Sequence, residues 1–163
     1  VISTSLSAVI NLAINLVVVA IFATIDGVQP TWNILLIPLF ILELYMFALG
    51  LAFLLSAVNV KFRDIDFIWD VVSQALFYGS AIMFPINRVV AMSQDIAVIL
   101  LISPLTQVIQ DLSYFIITQD VHTVHTLTSS PWVIAAPFVI AAATFTVGAV
   151  YFRKRSPYFA EEV

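Results

Sequence analysis

The stretch Asn59-Val60-Lys61-Phe62-Arg63-Asp64-Ile65-Asp66 decides how the chain is arranged. It holds two of the six basic and two of the ten acidic residues in a sequence that is 62% hydrophobic and only 10% charged. Charged side chains are costly in hydrocarbon, so this cluster indicates a loop at a membrane surface. The apolar segments on either side of it are therefore predicted to cross the membrane.

The composition of the whole chain supports this prediction. The mean hydropathy is +1.08, whereas soluble domains are roughly half apolar and about a quarter charged. The 163 residues leave room for four spans, each needing about 20 residues. Because hydrocarbon offers no water to the backbone, long unbroken apolar runs favour helices. The sequence thus predicts an all-α, polytopic membrane protein.

Four transmembrane helices and two shorter helices are predicted along the chain. The two short segments, Ile96–Ile102 and Leu105–Ile117, flank Ser103-Pro104 and are too short to cross a bilayer. We therefore expect a pair of re-entrant helices on the outer side. Pro85 is expected to end the third span, since proline disfavours helical geometry in the residue before it. The predicted spans are Val1–Ile25, Ile34–Val58, Ile68–Phe84 and Trp132–Phe152.

The basic residues predict the orientation. With these spans, Lys61, Arg63 and the run Arg153-Lys154-Arg155 fall on one side of the membrane, and Arg88 falls on the other. Cytoplasmic loops carry an excess of Lys and Arg. The charged loop and the C-terminus are therefore predicted to be cytoplasmic.

Polar residues inside the first span are spaced four apart, at Ser3, Ser7, Asn11 and Asn15. This spacing places them on one face of a helix. Two interpretations stay open. The stripe hydrogen-bonds a neighbouring helix, at about 0.6 kcal/mol per bond, or it lines a polar pathway.

One carboxylate, Glu43, lies inside the second span. It is nine residues from the start of that span, which is about 14 Å along a helix axis. A carboxylate at such a depth should face the protein interior. We expect a structural acid bonded to Asn11 or Asn15, a residue of a hydrated pathway, or a proton-coupling site.

Catalytic and nucleotide-binding motifs are missing from the sequence. There is no cysteine, and none of the four glycines is followed by Lys, which excludes a phosphate-binding loop of the G-x-x-x-x-G-K type. His122 and His125 have no evident third ligand, so no metal site is predicted. No catalytic residue, resident cofactor or nucleic-acid partner is expected. The chain is predicted to be a transport subunit, not an enzyme, with its energy supplied by another subunit or an ion gradient.

Several short motifs together resemble a known family. Ala57-Val58-Asn59-Val60-Lys61-Phe62-Arg63-Asp64-Ile65, followed about twenty residues later by Phe84-Pro85-Ile86, resembles the signature of type-2 ABC exporter permeases that export lipid-linked polysaccharide or teichoic acid. Ser103-Pro104-Leu105 is similar to the Asn-Pro-Leu often found in members. The chain end, from Tyr151-Phe152-Arg153 through Tyr158-Phe159-Ala160-Glu161, extends the resemblance over essentially the whole chain.

The resemblance implies an architecture and partners. Residues 1–163 would be a single permease domain that matches the last four of six spans, without the N-terminal amphipathic helix and first two spans. Members form a homodimer with the pathway at the subunit interface, driven by two copies of an ATPase subunit that binds ATP and Mg²⁺. The implied location is the bacterial cytoplasmic membrane, and the implied substrate is a lipid-linked glycan moved outward.

The resemblance also implies roles for particular residues. Lys61, Arg63, Asp64 and Asp66 would face the ATPase or the channel entrance from the cytoplasmic loop. The region from Arg88 to Ser130, with Pro85 and Pro104, would form the outer gate. Ser103 stands where members often carry Asn, and no Arg lies near Ser113, where members often carry one.

A path for sugars would combine aromatic platforms with neutral hydrogen-bonding groups. Two other transport functions stay open: a type-2 ABC exporter of a drug or lipid, and an ion-coupled secondary transporter that uses Glu43. A membrane-embedded glycosyl- or acyltransferase is disfavoured by the lack of clustered acids, bases and nucleophiles. The candidate pathway residues are Asn11, Asn15, Glu43, Trp69, Gln74, Phe77 and Tyr78.

Overall fold

The computed structural model describes residues 2–25, 35–60, 65–118 and 120–156, and within these ranges every regular element is a helix. This confirms the predicted all-α class. The predicted loop residues 61–64 and the tail 157–163 lie outside the described residues. The helices are α1 (Ile2–Ile25), α2 (Ile37–Asn59), α3 (Ile65–Gly79), α4 (Ile86–Met92), α5 (Gln94–Leu101), α6 (Pro104–Ile116), α7 (Val124–Leu127) and α8 (Pro131–Arg155).

Three helices in the described part are long and apolar enough to cross a membrane. They are α2 with 23 residues, α8 with 25, and the segment Leu6–Ile25 of α1 with 20. At 1.5 Å per residue the shortest is about 30 Å long, which matches a hydrocarbon core. The first, second and last predicted spans are therefore confirmed as helices of spanning length.

The third predicted span is shorter than expected. The prediction ran to Phe84, but α3 ends at Gly79 after 15 residues, or about 22 Å. The Ser80 hydroxyl donates to the Phe77 carbonyl oxygen at 2.8 Å, and Ala81 has a φ of 54°. A left-handed residue cannot continue a right-handed helix. The helix therefore stops at the turn after Gly79, before Pro85 can act.

The two short helices predicted on the outer side are present. Helices α5 and α6 meet at a bend of 101°, where Ser103 is extended with ψ 125° and Pro104 starts α6. Both helices also approach the same segment. The side chain of Gln94, at the start of α5, donates to the Leu127 carbonyl at 2.9 Å, and Asp111 in α6 lies within electrostatic range of His125. This arrangement favours a re-entrant pair over one broken span.

Helices α2 and α8 pack along their length with backbones in contact. A Cβ on Gly148 would overlap the Gly50 carbonyl oxygen, and a Cβ on Gly50 would lie 2.5 Å from the Phe145 nitrogen. Farther along, Phe53 and Phe152 have ring centroids 5.3 Å apart. From Gly50 to Phe53 along α2, the contacted residue on α8 moves forward from Gly148 to Phe152. The two helices are therefore parallel, and both end on the same side.

The segment from Ala81 to Ile134 forms a small unit with its own hydrophobic core. The Asn87 amide donates to the Asp120 carbonyl at 2.8 Å, and its oxygen accepts from the His122 backbone N–H at 3.3 Å. These bonds join the start of α4 to the loop after α6. The core of this unit is the cluster of buried apolar residues Ala81, Ile86, Ala97, Leu101 and Val124.

Candidate functional site: a buried carboxylate cluster

Helix α6 buries its polar side. Thr106, Gln107, Gln110 and Asp111 recur at helical spacing on one face, and each is at most 6% exposed. A surface helix normally turns its polar face to water. In a membrane the preference is reversed, because polar groups are stabilised inside the protein and not against lipid. The polar face of α6 therefore marks the polar interior of the chain.

Helix α2 contributes Glu43 to the same interior. The rings of Phe40 and Phe115 stack with centroids 5.8 Å apart and planes at 17°. Moving three residues forward on α2 and four back on α6 leads to Glu43 and Asp111, which are close enough to repel each other. The two helices are therefore antiparallel, and they bring together two carboxylates that are 4% and 1% exposed.

Most side-chain oxygens of Glu43, Gln107 and Asp111 lack a hydrogen-bond donor among the described residues. The Gln107 amide nitrogen donates to Asp111 Oδ2 at 3.0 Å. In the described part of the chain, both Glu43 oxygens, Gln107 Oε1 and Asp111 Oδ1 have no hydrogen-bond partner. Leaving buried acceptors unpaired costs about 1 to 3 kcal/mol each, and more for charged groups. We call Glu43, Gln107 and Asp111 the carboxylate cluster; its chemistry favours a positively charged occupant.

The predicted partners of Glu43 lie elsewhere. Asn11 and Asn15 are both exposed on α1. Helix α1 approaches α2 through a different face, where Val9 and Leu12 line an apolar cavity of about 160 Å³. The expected hydrogen bond from either Asn to Glu43 is not formed among the described residues. That interpretation of Glu43 is wrong, because its carboxylate faces α6.

The predicted pathway residues on α3 lie on or near its surface. Gln74, Phe77 and Tyr78 are exposed, and the two rings contact edge to face with centroids 5.8 Å apart. Trp69 is half-buried and lines a cavity of about 130 Å³ with Asn59 and others near the end of α2. Their role in a pathway stays a prediction.

The predicted cytoplasmic-loop residues are not placed by the structure. Lys61, Arg63 and Asp64 lie outside the described residues, and for Asp66 only the backbone at the start of α3 is described. Their coupling role stays a prediction.

The two gate prolines lie at the starts of helices. Pro85 is exposed and precedes α4, whereas Pro104 is buried at the start of α6. The Thr106 hydroxyl reaches the Gly79 carbonyl at 3.5 Å, which connects α6 to the end of α3. A gating role for Pro85 and Pro104 stays a prediction.

Sequence reasoning missed the contribution of α6 to the site. Gln107 and Asp111 are four residues apart within a segment between two apolar runs. An acid in such a segment carries the same signal that drew attention to Glu43, namely an ionisable group at membrane depth. No group of three or more His, Cys, Asp or Glu residues suited to a metal occurs in the described ranges.

Taken together, the fold and the buried cluster define a polytopic α-helical membrane protein with a polar interior. Over 79 residues the chain is 28% identical to the O-antigen export system permease protein RfbA of Myxococcus xanthus. The matched stretch covers 48% of this chain and 30% of that permease. No family model matches the chain, and no solved structure matches it. The similarity supports the resemblance to type-2 ABC export permeases.

Proposed function

We propose that this chain is part of the permease subunit of a type-2 ABC exporter that moves a lipid-linked polysaccharide outward across the bacterial cytoplasmic membrane. The observation that carries the proposal is the 28% identity over 79 residues to an O-antigen export permease. Three helices of spanning length and a bent helix pair are compatible with a permease. A teichoic-acid-type glycan belongs to the same substrate class.

A separate subunit would supply the energy. The sequence holds no phosphate-binding loop, so ATP and Mg²⁺ would be held by two copies of an ATPase subunit. The parallel course of α2 and α8 places Asn59 and Arg155 at the same end of the molecule. The charged loop that follows Asn59 and the basic C-terminal run would then both face the cytoplasm and the ATPase.

A homodimer would enclose the pathway. Helix α1 exposes Asn11 and Asn15, and α3 exposes Gln74, Phe77 and Tyr78. Polar side chains are costly against lipid. A second permease copy that faces these residues would place them in a water-filled pathway between the two subunits. Sugars present hydroxyl edges and apolar C–H faces, which suit alternating amides and aromatic rings.

The partner is tested by co-purification. The complete permease, extracted in detergent, is expected to bring with it an ATPase subunit and ATPase activity. Arg63→Glu and Asp64→Lys are expected to reduce export while ATP hydrolysis continues, because the loop transmits the ATPase movement. Recovery of the permease without an ATPase, together with export that follows an ion gradient, would favour a secondary transporter instead.

The substrate class is tested by export itself. Cells that lack the permease are expected to accumulate a lipid-linked glycan on the cytoplasmic side. Replacing Phe77 and Tyr78 by Ala should slow its export, since a sugar face would lose the aromatic rings on which it stacks. Val147→Ala, at an exposed apolar position of α8, is the matched control. Unchanged glycan levels in the absence of the permease would point to a drug or lipid substrate.

A further inference from the structure

Three buried side chains in the interior of this chain present oxygens with no donor. Glu43, Gln107 and Asp111 are 4%, 1% and 1% exposed. In the described residues, four of their oxygen atoms lack a hydrogen-bond partner. Two carboxylates that repel each other in a site closed to water are unfavourable unless a positive charge is added.

Among the described residues, one basic side chain acts on the pair, and it lies at the surface. His125 of α7 attracts Asp111 but is itself exposed to solvent, whereas the charged group that acts on Glu43 is Asp111, which repels it. Helix α1 has no ionisable side chain, and Asp95 at the start of α5 is acidic. The charged residues of α8 are Arg153, Lys154 and Arg155, at its far end.

We propose that the carboxylate cluster binds one monovalent cation, a proton or an alkali ion, shared between Glu43 and Asp111. Carboxylate and amide oxygens are ligands for hard cations. Two carboxylates in one buried site cannot both stay ionised without a cation, and a single shared proton already removes one of the two charges. The Gln107 amide, fixed by its bond to Asp111 Oδ2, offers the third side chain. The inference does not depend on the proposed function.

The test is the thermal stability of the complete permease in detergent. A cation that binds the folded state and not the unfolded state stabilises the fold by mass action. Each tenfold rise in its concentration above half-saturation is expected to raise the folded-to-unfolded ratio up to tenfold. For a proton, stability falls from pH 5 to pH 8 equally in choline and sodium chloride. For an alkali ion, sodium or potassium raises stability over choline at constant pH.

The variants separate this site from other carboxylates. Glu43→Gln combined with Asp111→Asn keeps the shape of both side chains and removes both charges. The thermal stability of this double variant should therefore no longer depend on the concentration of protons or alkali ions. Asp95→Asn, at an exposed acid of α5, should retain it. The proposal fails if the double variant keeps the full dependence, or if the wild type shows neither dependence.

A second readout applies if the double variant does not fold. Dicyclohexylcarbodiimide modifies buried carboxyl groups that carry a proton, so mass spectrometry of the treated wild type should find label on Glu43 or Asp111. Sodium should slow this labelling if an alkali ion is the occupant. The proposal would be overturned if neither residue is labelled and if the single variants Glu43→Gln and Asp111→Asn are as stable as the wild type.

Discussion

The close packing of α2 on α8 predicts that Gly148→Ala destabilises the protein. A Cβ at residue 148 would overlap the carbonyl oxygen of Gly50, and the Gly50 Cα lies only 3.1 Å from that Cβ position. The obstacle is backbone, which cannot rotate away as a side chain would. The two helices must therefore separate by about 1 Å, and a gap of that size forfeits about a quarter to a half of each dispersion contact.

The expected magnitude follows from two opposing effects. Overpacking costs about 1 to 3 kcal/mol, and the upper end applies here because the contact is backbone on backbone. Alanine regains about 1 kcal/mol over glycine in a helix. The net loss is about 2 kcal/mol, which corresponds to a fall in Tm of about 4 to 8 °C for a chain of this size.

Thermal unfolding of the purified permease in detergent measures this change, and Gly79→Ala is the matched control. A Cβ at residue 79 would meet no atom within 4 Å. The same substitution there should leave Tm unchanged or raise it. A Gly148→Ala permease that melts at or above the wild-type temperature would refute the reasoning. Gly50→Ala should also destabilise, and because it disturbs the same contact, the double variant should lose less than the sum of the two.

Three further predictions concern other contacts. Phe40→Ala and Phe115→Ala should show a coupling energy of about 0.5 to 1.5 kcal/mol in a double-mutant cycle, since their rings stack; additive losses would contradict the stacking. Cysteines at His122 and Arg153 should be labelled from opposite sides of the membrane by an impermeant reagent, and labelling from one side would overturn the orientation. Asn87→Ala should loosen the loop that its two hydrogen bonds hold, at a cost of about 0.5 to 1.5 kcal/mol per bond; limited proteolysis near His122 measures it, and unchanged cleavage would contradict it.

The long helices could be predicted because hydropathy alone decides them. Twenty or more apolar residues in a row have one stable outcome in a membrane, and α1, α2 and α8 follow it. The break before Pro104 was also predictable, since proline restricts the residue before it. The end of α3 was not, because it depends on a left-handed Ala81 and a Ser80 hydrogen bond. Neither residue type signals such a turn in sequence.

Only one side of the carboxylate cluster, Glu43, could be predicted from the sequence. Glu43 was evident as a carboxylate at membrane depth, but its partner was sought on α1, where Asn11 and Asn15 offered matching chemistry. The choice between α1 and α6 depends on how α2 is rotated about its axis. That rotation is set by contacts far apart in the sequence, such as Phe40 on Phe115 and Gly50 on Gly148.

The carboxylate cluster also explains how α6 is held in the membrane. A helix of 13 residues cannot span a bilayer, and turning Gln107, Gln110 and Asp111 to lipid would be costly. Glu43 on α2 faces this polar side of α6, but by itself it repels Asp111. The cation proposed for the cluster would then stabilise more than a pair of side chains. It would hold α6, and with it the bend at Ser103, against the spans.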